Sequence, residues 1–283
     1  MYMIVCEKSE TTHFLFLTLA LIIGVSCNVF IVGINQIADV DLDKINKPYL
    51  PIPAGDLSTK EAKIIVYSAL FISLTLAFFI MPYLFLIIAV AALIGWAYSM
   101  PPFHLKKHHI TAALSITTVR GILLNIGGFM VFNYLVNHTL ELPQDVKILT
   151  LFIIVFSIAI SWFKDLPDVK GDKEFNIRSF AIIYSSRIAL IWGHVIVGLA
   201  YLFTIIMKFL EYTSSTVPSF ESSVLLYGHI ILFILFIINA FYVKLSRHES
   251  VKKFYTRFWW FFFAEYAVYL FAYTGKAVIL HTL

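Results

Sequence analysis

The sequence predicts an all-α fold, a polytopic bundle of transmembrane helices in one domain over residues 1–283. Hydrophobic residues make up 60% of the chain and charged residues 13%, with a mean hydropathy of +0.86. That balance excludes an ordinary soluble domain. Apolar runs long enough to cross a hydrocarbon core recur along the whole chain. The basic residues gather between alternate runs, as cytoplasmic loops require.

Eight runs read as spans: 14–36, 62–80, 83–100, 111–134, 147–163, 181–207, 223–243 and 256–279. The first is too long for a signal-peptide core and leads straight into an acidic segment; no Arg/Ser-rich transit segment precedes it. The second and third are divided at Met81-Pro82, because their 39 residues cannot make one straight span. The fourth carries Arg120 beside Gly121, and the fifth runs into a second acidic segment. The sixth and seventh are apolar throughout, and the last holds Glu265. With this count, four loops fall on one side. They carry Lys44, Lys47 and Lys60; Lys106 and Lys107; Lys164, Lys170, Lys173 and Arg178; and Lys244, Arg247, Lys252 and Lys253. The opposite side is read as carrying Lys8 alone. The basic side is therefore cytoplasmic, or its stromal or matrix equivalent.

The net charge of +4 reflects this loop asymmetry and an anionic lipid bilayer as partner, not nucleic acid. Cys6 and Cys27 are too few for a disulfide framework and lie far from any histidine pair that would suggest zinc.

Two acidic clusters stand out on the basic side. The first is Asn35, Asp39 and Asp43 in NQIADVDLDKINKP; the second is Asp165, Asp168 and Asp172 in KDLPDVKGDKEF. Within each, side chains three or four residues apart share one helix face, with Cβ atoms about 5–6 Å apart. Carboxylates at membrane depth persist mainly where they face a cavity, a partner or an ion. A weak internal echo joins the two, each being an apolar helix, an acidic cluster, a short basic loop and a new helix. The loops holding Pro48, Pro51, Pro53 and Gly55, then YSMPPFHLKKHH, then Pro167 and Gly171, are expected to crowd one mouth.

Six oxygen donors in two arrays, with Lys44, Lys47, Lys106 and Lys164 nearby, suit a diphosphate held through Mg²⁺. Magnesium takes hard oxygen ligands, commonly a few carboxylates and substrate phosphates. Cations placed there stabilise charge building on a departing diphosphate. A greasy bundle would hold the hydrocarbon tail. The bland alternative for any one Asp–Lys pair is a solvated ion pair at a helix end. Arg120 inside an apolar span suggests a substrate carboxylate, with pairing between spans as the alternative for it and for Glu265. His108 and His109 read as loop histidines.

At this point the residues resemble a known family. NQIADVDLDKINKPYLPIPAGDLS and FKDLPDVKGDKEFNIRSFA look like the two signature segments of the UbiA-type intramembrane aromatic prenyltransferases. The Asn-Gln opening and the KD-x-PD-x-x-GD form are most similar to the homogentisate phytyltransferase branch. AYSMPPFHLKK, ITTVRGILLNIGG and FYTRFWWFFFAEYAVY look like further segments of it, so that the likeness runs from about residue 21 to 275. The resemblance implies Mg²⁺-dependent transfer of a phytyl or geranylgeranyl group from its diphosphate to the ring of homogentisate with loss of CO₂, as in tocopherol and prenylquinone biosynthesis. It assigns the metal–diphosphate to Asn35, Asp39, Asp43, Asp165, Asp168 and Asp172. It also implies that Asn35, Lys47, Tyr98, Ser99, Lys106 and Lys164 bind substrate, and implies a cyanobacterial or other bacterial membrane, or a plastid one.

Two departures accompany it. The family's nine spans begin with one that has no counterpart here, which implies a truncated gene model, an isoform or an inactive copy. His104 stands where the branch has Arg. Solanesyl transfer to homogentisate, prenylation of a phenolic or flavonoid acceptor, membrane transport and a non-catalytic copy all stay open.

Overall fold

The computed structural model describes residues 11–282, with side chains from 15 to 275; Cys6 and Lys8 lie outside the described residues. The chain is helical almost throughout. Helix α1 spans Thr11–Ala38, α2 Val40–Asn46, α3 Pro51–Ala54, α4 Thr59–Ile80 and α5 Pro82–Ser99. A continuous rod follows, built of α6 (His109–Ile116), a π-helical segment (Thr117–Gly127) and α7 (Gly128–Asn137). Then come α8 (Gln144–Phe163), α9 (Val169–Glu174), α10 (Phe180–Tyr184), α11 (Ser186–Ser214), α12 (Phe220–Phe241) and α13 (His248–Thr282). Every backbone polar group inside a bilayer needs an internal partner, which helices supply.

Local chemistry sets the boundaries. Ser58 and Glu61 form a reciprocal capping box at the start of α4. Extended Met81 ends that helix, and Pro82 opens α5 at a position where its missing N–H costs nothing. Seven helices among the described residues are long and apolar enough to cross a membrane, and the protein is a multi-pass membrane protein. The eighth expected span lies inside α13. Its tyrosines and tryptophans, with Arg257 and Glu265, hold its apolarity below that of the others. The sixth span starts later than the sequence suggests. Ser185, at φ 98°, separates α10 from α11, and its side chain caps Ile188 N–H at 3.3 Å.

Two apolar cores organise the bundle. One joins α1, α4, α5 and the upper rod through Phe30, Ile34, Val66, Ile88 and Val131. The other joins α8, α11, α12 and α13 and is aromatic, with Phe156 stacked on Phe258 at 4.2 Å and Phe163 edge-on to Phe254 at 5.0 Å. Outward-facing apolar side chains such as Phe71, Phe79, Leu199 and Trp260 are exposed, as a lipid-facing surface requires.

Lys208, missing from the sequence count of basic residues on the side opposite the acidic clusters, lies within α11 and is fully buried. It pairs with Asp145 of α8 and, at 2.9 Å, with Glu211. Glu265 realises the pairing alternative: its carboxylate meets His229 Nε2 of α12 at 2.9 Å with both side chains fully buried.

Candidate active site

Both acidic clusters bend at their middle residue. The sequence places each trio along one uninterrupted helix face; instead α1 stops at Ala38 and α2 restarts after Asp39 (φ −106°, ψ 13°). In the second cluster α8 ends at Phe163, and α9 begins after Asp168 (φ −98°, ψ 0°), just beyond Pro167, whose ring forbids an α-helical run-through. The internal echo is therefore structural: long helix, kink at the central Asp, short helix. Both central residues occupy the bridge region between helix and strand, common among active-site residues.

The short helices α2 and α9 dock on each other. Gly171 N–H donates to Asn46 Oδ1 at 3.0 Å, and a Cβ at Gly171 would fall on that carboxamide. Gly171→Ala is expected to break this bond and lower stability by about 1–2 kcal/mol. Thermal unfolding in detergent checks this, and a midpoint equal to that of the parent would show that the α2–α9 contact does not need glycine.

The three loops converge as the sequence suggests. Lys47 Nζ reaches Asp168 at 2.6 Å and Asp43 at 4.0 Å, joining the first motif to the second. Lys106, from a 3₁₀ turn after α5, pairs with Asp39. Arg178 N–H donates to the Lys107 carbonyl at 2.8 Å and His109 N–H to the Arg178 carbonyl at 3.1 Å, tying the second and third loops together. Lys44 does not join them; it is exposed and pairs with exposed Asp41 at 2.9 Å.

Between these loops lies a polar cavity of ≈ 380 Å³. Asn35, Asp39, Asp43, Asp165, Asp168 and Asp172 all line it, as do Lys47, Tyr98, Lys106 and Lys164. Asn35 Nδ2 donates to Asp39 Oδ2 at 3.0 Å and to Ser99 Oγ at 3.1 Å, so Ser99, fully buried, orients Asn35 from behind the wall. Lys164 Nζ lies 3.1 Å from Asp165 and donates to the Tyr98 hydroxyl at 2.9 Å. Among the described residues no three ligand-type side chains close on a single point, because lysines bridge the carboxylates around the cavity.

The electrostatics match a cation-hungry anionic cluster. Burial raises Asp43 to about 6, with Asp39 and Asp168 adding repulsion against the pull of Lys47. Burial and then Asp165 raise Asp172 to about 7. Burial likewise raises Asp165. Burial lowers Lys106, only partly offset by Asp39, whereas for Lys47 the attraction of Asp168 overcomes burial and the shift is upward. Desolvated carboxylates that repel one another gain most from a multivalent cation. The donor set, oxygens from two opposing motifs, fits Mg²⁺.

A second, more apolar cavity of ≈ 230 Å³ adjoins the first, sharing Asn35, Tyr98, Lys164 and Tyr255. Ile31, Val32, Ile94, Val119 and Ile160 supply its walls, and Arg120 and Trp259 line it too. Sequence reasoning misses Asn46, Tyr49, Lys252, Tyr255 and Thr256 as lining residues of the polar cavity. Lys252, Tyr255 and Thr256 share one face at the start of α13 by their three- and four-residue spacing, the signal that could have found them. His104 does not line either cavity. Burial first, then Lys107 and Lys106, lower its pKa and keep it neutral at pH 7.

The chain is similar to known proteins over most of its length. The chain is 36% identical over 248 residues to homogentisate phytyltransferase of Synechocystis sp., covering 86% of this chain and 77% of that one. It is 33% identical over 256 residues to the chloroplastic homogentisate solanesyltransferase of Arabidopsis thaliana, covering 89% of this chain and 64% of the relative. Among solved structures, a digeranylgeranylglyceryl phosphate synthase superposes with a TM-score of 0.64 at 24% identity, covering 98% of this chain and 90% of the other. A UbiA homolog from Archaeoglobus fulgidus bound to DMAPP and Mg²⁺ superposes with a TM-score of 0.60 at 17% identity, covering 95% and 93%. The pattern of the UbiA prenyltransferase family matches residues 2–262, nearly the whole chain, and with the helical bundle and its paired acidic motifs the protein belongs to that family.

Proposed function

We propose that this chain transfers a prenyl group, phytyl or geranylgeranyl, from its diphosphate to the aromatic ring of homogentisate with loss of CO₂. The observation that carries the reading is a polar cavity lined by two opposed carboxylate clusters and four lysines, adjoining an apolar one. The relatives at 36% and 33% identity, named for phytyl and solanesyl transfer to homogentisate, support the acceptor and leave the tail length between them.

Asn35, Asp39 and Asp43 on one wall and Asp165, Asp168 and Asp172 on the other would hold Mg²⁺ with the diphosphate. Bound there, the metal would supply charge neutralisation to the leaving diphosphate. Lys47, Lys106 and Lys164 would exchange their carboxylate partners for phosphate oxygens, as the substrate brings its own negative charge. Tyr98 fixes Lys164, and Ser99 fixes Asn35. The apolar cavity would receive the acceptor ring beside the carbon that loses the diphosphate and keep water from that carbon, while the apolar bundle holds the tail. The mouth sits on the basic, cytoplasmic or stromal side of a cyanobacterial, other bacterial or plastid membrane, and the described bundle acts as one domain.

Membranes carrying the chain, given Mg²⁺, labelled homogentisate and a panel of prenyl diphosphates, should form a lipid-soluble product with phytyl or geranylgeranyl diphosphate. EDTA should abolish it. Product only with solanesyl diphosphate would reassign the donor. Inserted protein that makes no product with any donor would reject the homogentisate reading.

A further inference from the structure

The fourth span holds a cation that the diphosphate site does not use. Arg120 lies in the π-helical segment and lines the apolar cavity, not the polar one. Among the described residues its guanidinium has no carboxylate partner. Its neighbours are rings, Trp259 at 4.6 Å from the guanidinium carbon and Phe262 at 5.9 Å. Glu265, the other ionisable residue that the sequence singles out in an apolar span, is already taken by His229. A charge this deep is costly unless something answers it.

The surroundings are built to hold Arg120 in place. A π turn leaves carbonyls without their usual α-helical donors, and such turns gather at functional sites. Here Asn125 Nδ2 donates to the carbonyls of Arg120 at 2.9 Å and Gly121 at 3.0 Å. Tyr266 of α13 then donates to Asn125 Oδ1 at 2.8 Å, locking the widened turn to the last helix. Gly121 lets the segment press on α8, since a Cβ there would stand 3.2 Å from the Ile154 Cα. The indole face of Trp259 packs against the guanidinium and restrains it within the wall of the cavity that both residues line.

We propose that Arg120 is the receptor for the acceptor's carboxylate. The site takes an aromatic acid, with the carboxylate forked on Arg120 over Trp259 and the ring lying toward Asn35, Tyr98 and Lys164, where the two cavities meet. A hydrocarbon tail offers an arginine nothing, and the diphosphate has Lys47, Lys106 and Lys252 in the neighbouring cavity, with Lys164 where the two meet. A planar, bidentate cation suits a carboxylate better than a lysine point charge does. This inference rests on the aromatic-acceptor reading above and adds the feature of the acceptor that is recognised.

The test uses the full chain in membranes or detergent, with homogentisate and its uncharged methyl ester as probes. Equilibrium binding of each is measured beside steady-state kinetics with the preferred diphosphate. The parent protein should bind homogentisate at least tenfold more tightly than the ester. Arg120→Gln should raise the KM for homogentisate about 10–100-fold, as expected for a lost charge-assisted pair. The diphosphate KM should stay within about twofold, and Arg120→Lys should recover part of the loss. Equal binding of acid and ester by the parent protein would overturn the proposal without any variant, which covers the case of a variant that fails to fold. A rise confined to the diphosphate KM would overturn it as well, by assigning Arg120 to the donor. A parent protein that forms no product from homogentisate rejects the function proposed above. Tight binding of the acid over the ester in that same protein would still support the carboxylate receptor.

Discussion

Asp168→Ala is expected to lower prenyl transfer by about 10²–10³-fold, the loss typical of removing one group that stabilises charge in a transition state. Asp168 sits at the kink before α9 and holds Lys47 at 2.6 Å across the mouth. Its removal takes away an oxygen ligand and leaves a lysine without its bridge, yet it opens no hole in either apolar core. The variant should therefore insert and unfold like the parent. Asp39→Ala, at the matching kink after α1, should behave alike. Asp41→Ala is the control, because Asp41 is exposed, pairs among the described residues only with exposed Lys44, and lines neither cavity. Rates in membranes at saturating diphosphate, with Mg²⁺ varied, distinguish the cases. Near-parental turnover of Asp168→Ala would remove the carboxylates from the mechanism.

The second large effect lies at the other end of the bundle and concerns stability. Lys208→Met should destabilise the protein by about 3–5 kcal/mol, because it strands a carboxylate that was desolvated together with its partner. Lys208 is fully buried and grips Asp145 of α8, whose second oxygen accepts from the Tyr273 hydroxyl of α13. One lysine thus ties α8, α11 and α13. The double variant Lys208→Met/Asp145→Asn should regain most of the loss, since it removes both charges and keeps an acceptor for Tyr273. Thermal unfolding in detergent reads both, with a drop of roughly 10 °C expected for the single change. A single variant that melts with the parent would show that the pair does not hold the helices.

Much of this was legible in the residues. Length and apolarity mark the spans, and the crowding of Asp39, Asp43, Asp165, Asp168 and Asp172 with Lys47, Lys106 and Lys164 around one cavity follows from two spaced clusters on the basic side. The kinks at Asp39 and Asp168 were less legible. Helical spacing predicts an unbroken face, and in the first cluster no proline announces the break. The partners of Arg120 and Glu265 were hidden for a different reason. Spacing places residues along one helix but says nothing of which helix faces it. Only packing of α12 against α13 brings His229 to Glu265, and only the rod against α13 brings Trp259 beneath Arg120. Lys252 and Tyr255 both precede the last span as the sequence marks it, yet α13 starts early enough to carry both to the mouth.

The π-helical stretch from Thr117 to Gly127 makes chain length itself a functional variable. Each i→i+5 turn carries one residue more than an α turn, which brings Asn125 under the carbonyl five positions before it. Deleting any one residue of the stretch would let an α turn close, shortening the rod by about 1.5 Å and swinging Arg120 round the axis relative to α7. Point substitutions that keep this spacing and indels that change it are then different kinds of event in this span. Among sequences descended from a common ancestor, an unchanged count between Thr117 and Gly127 would speak for a shared acceptor pocket, and a one-residue gap there would mark a lineage whose pocket has been re-aimed.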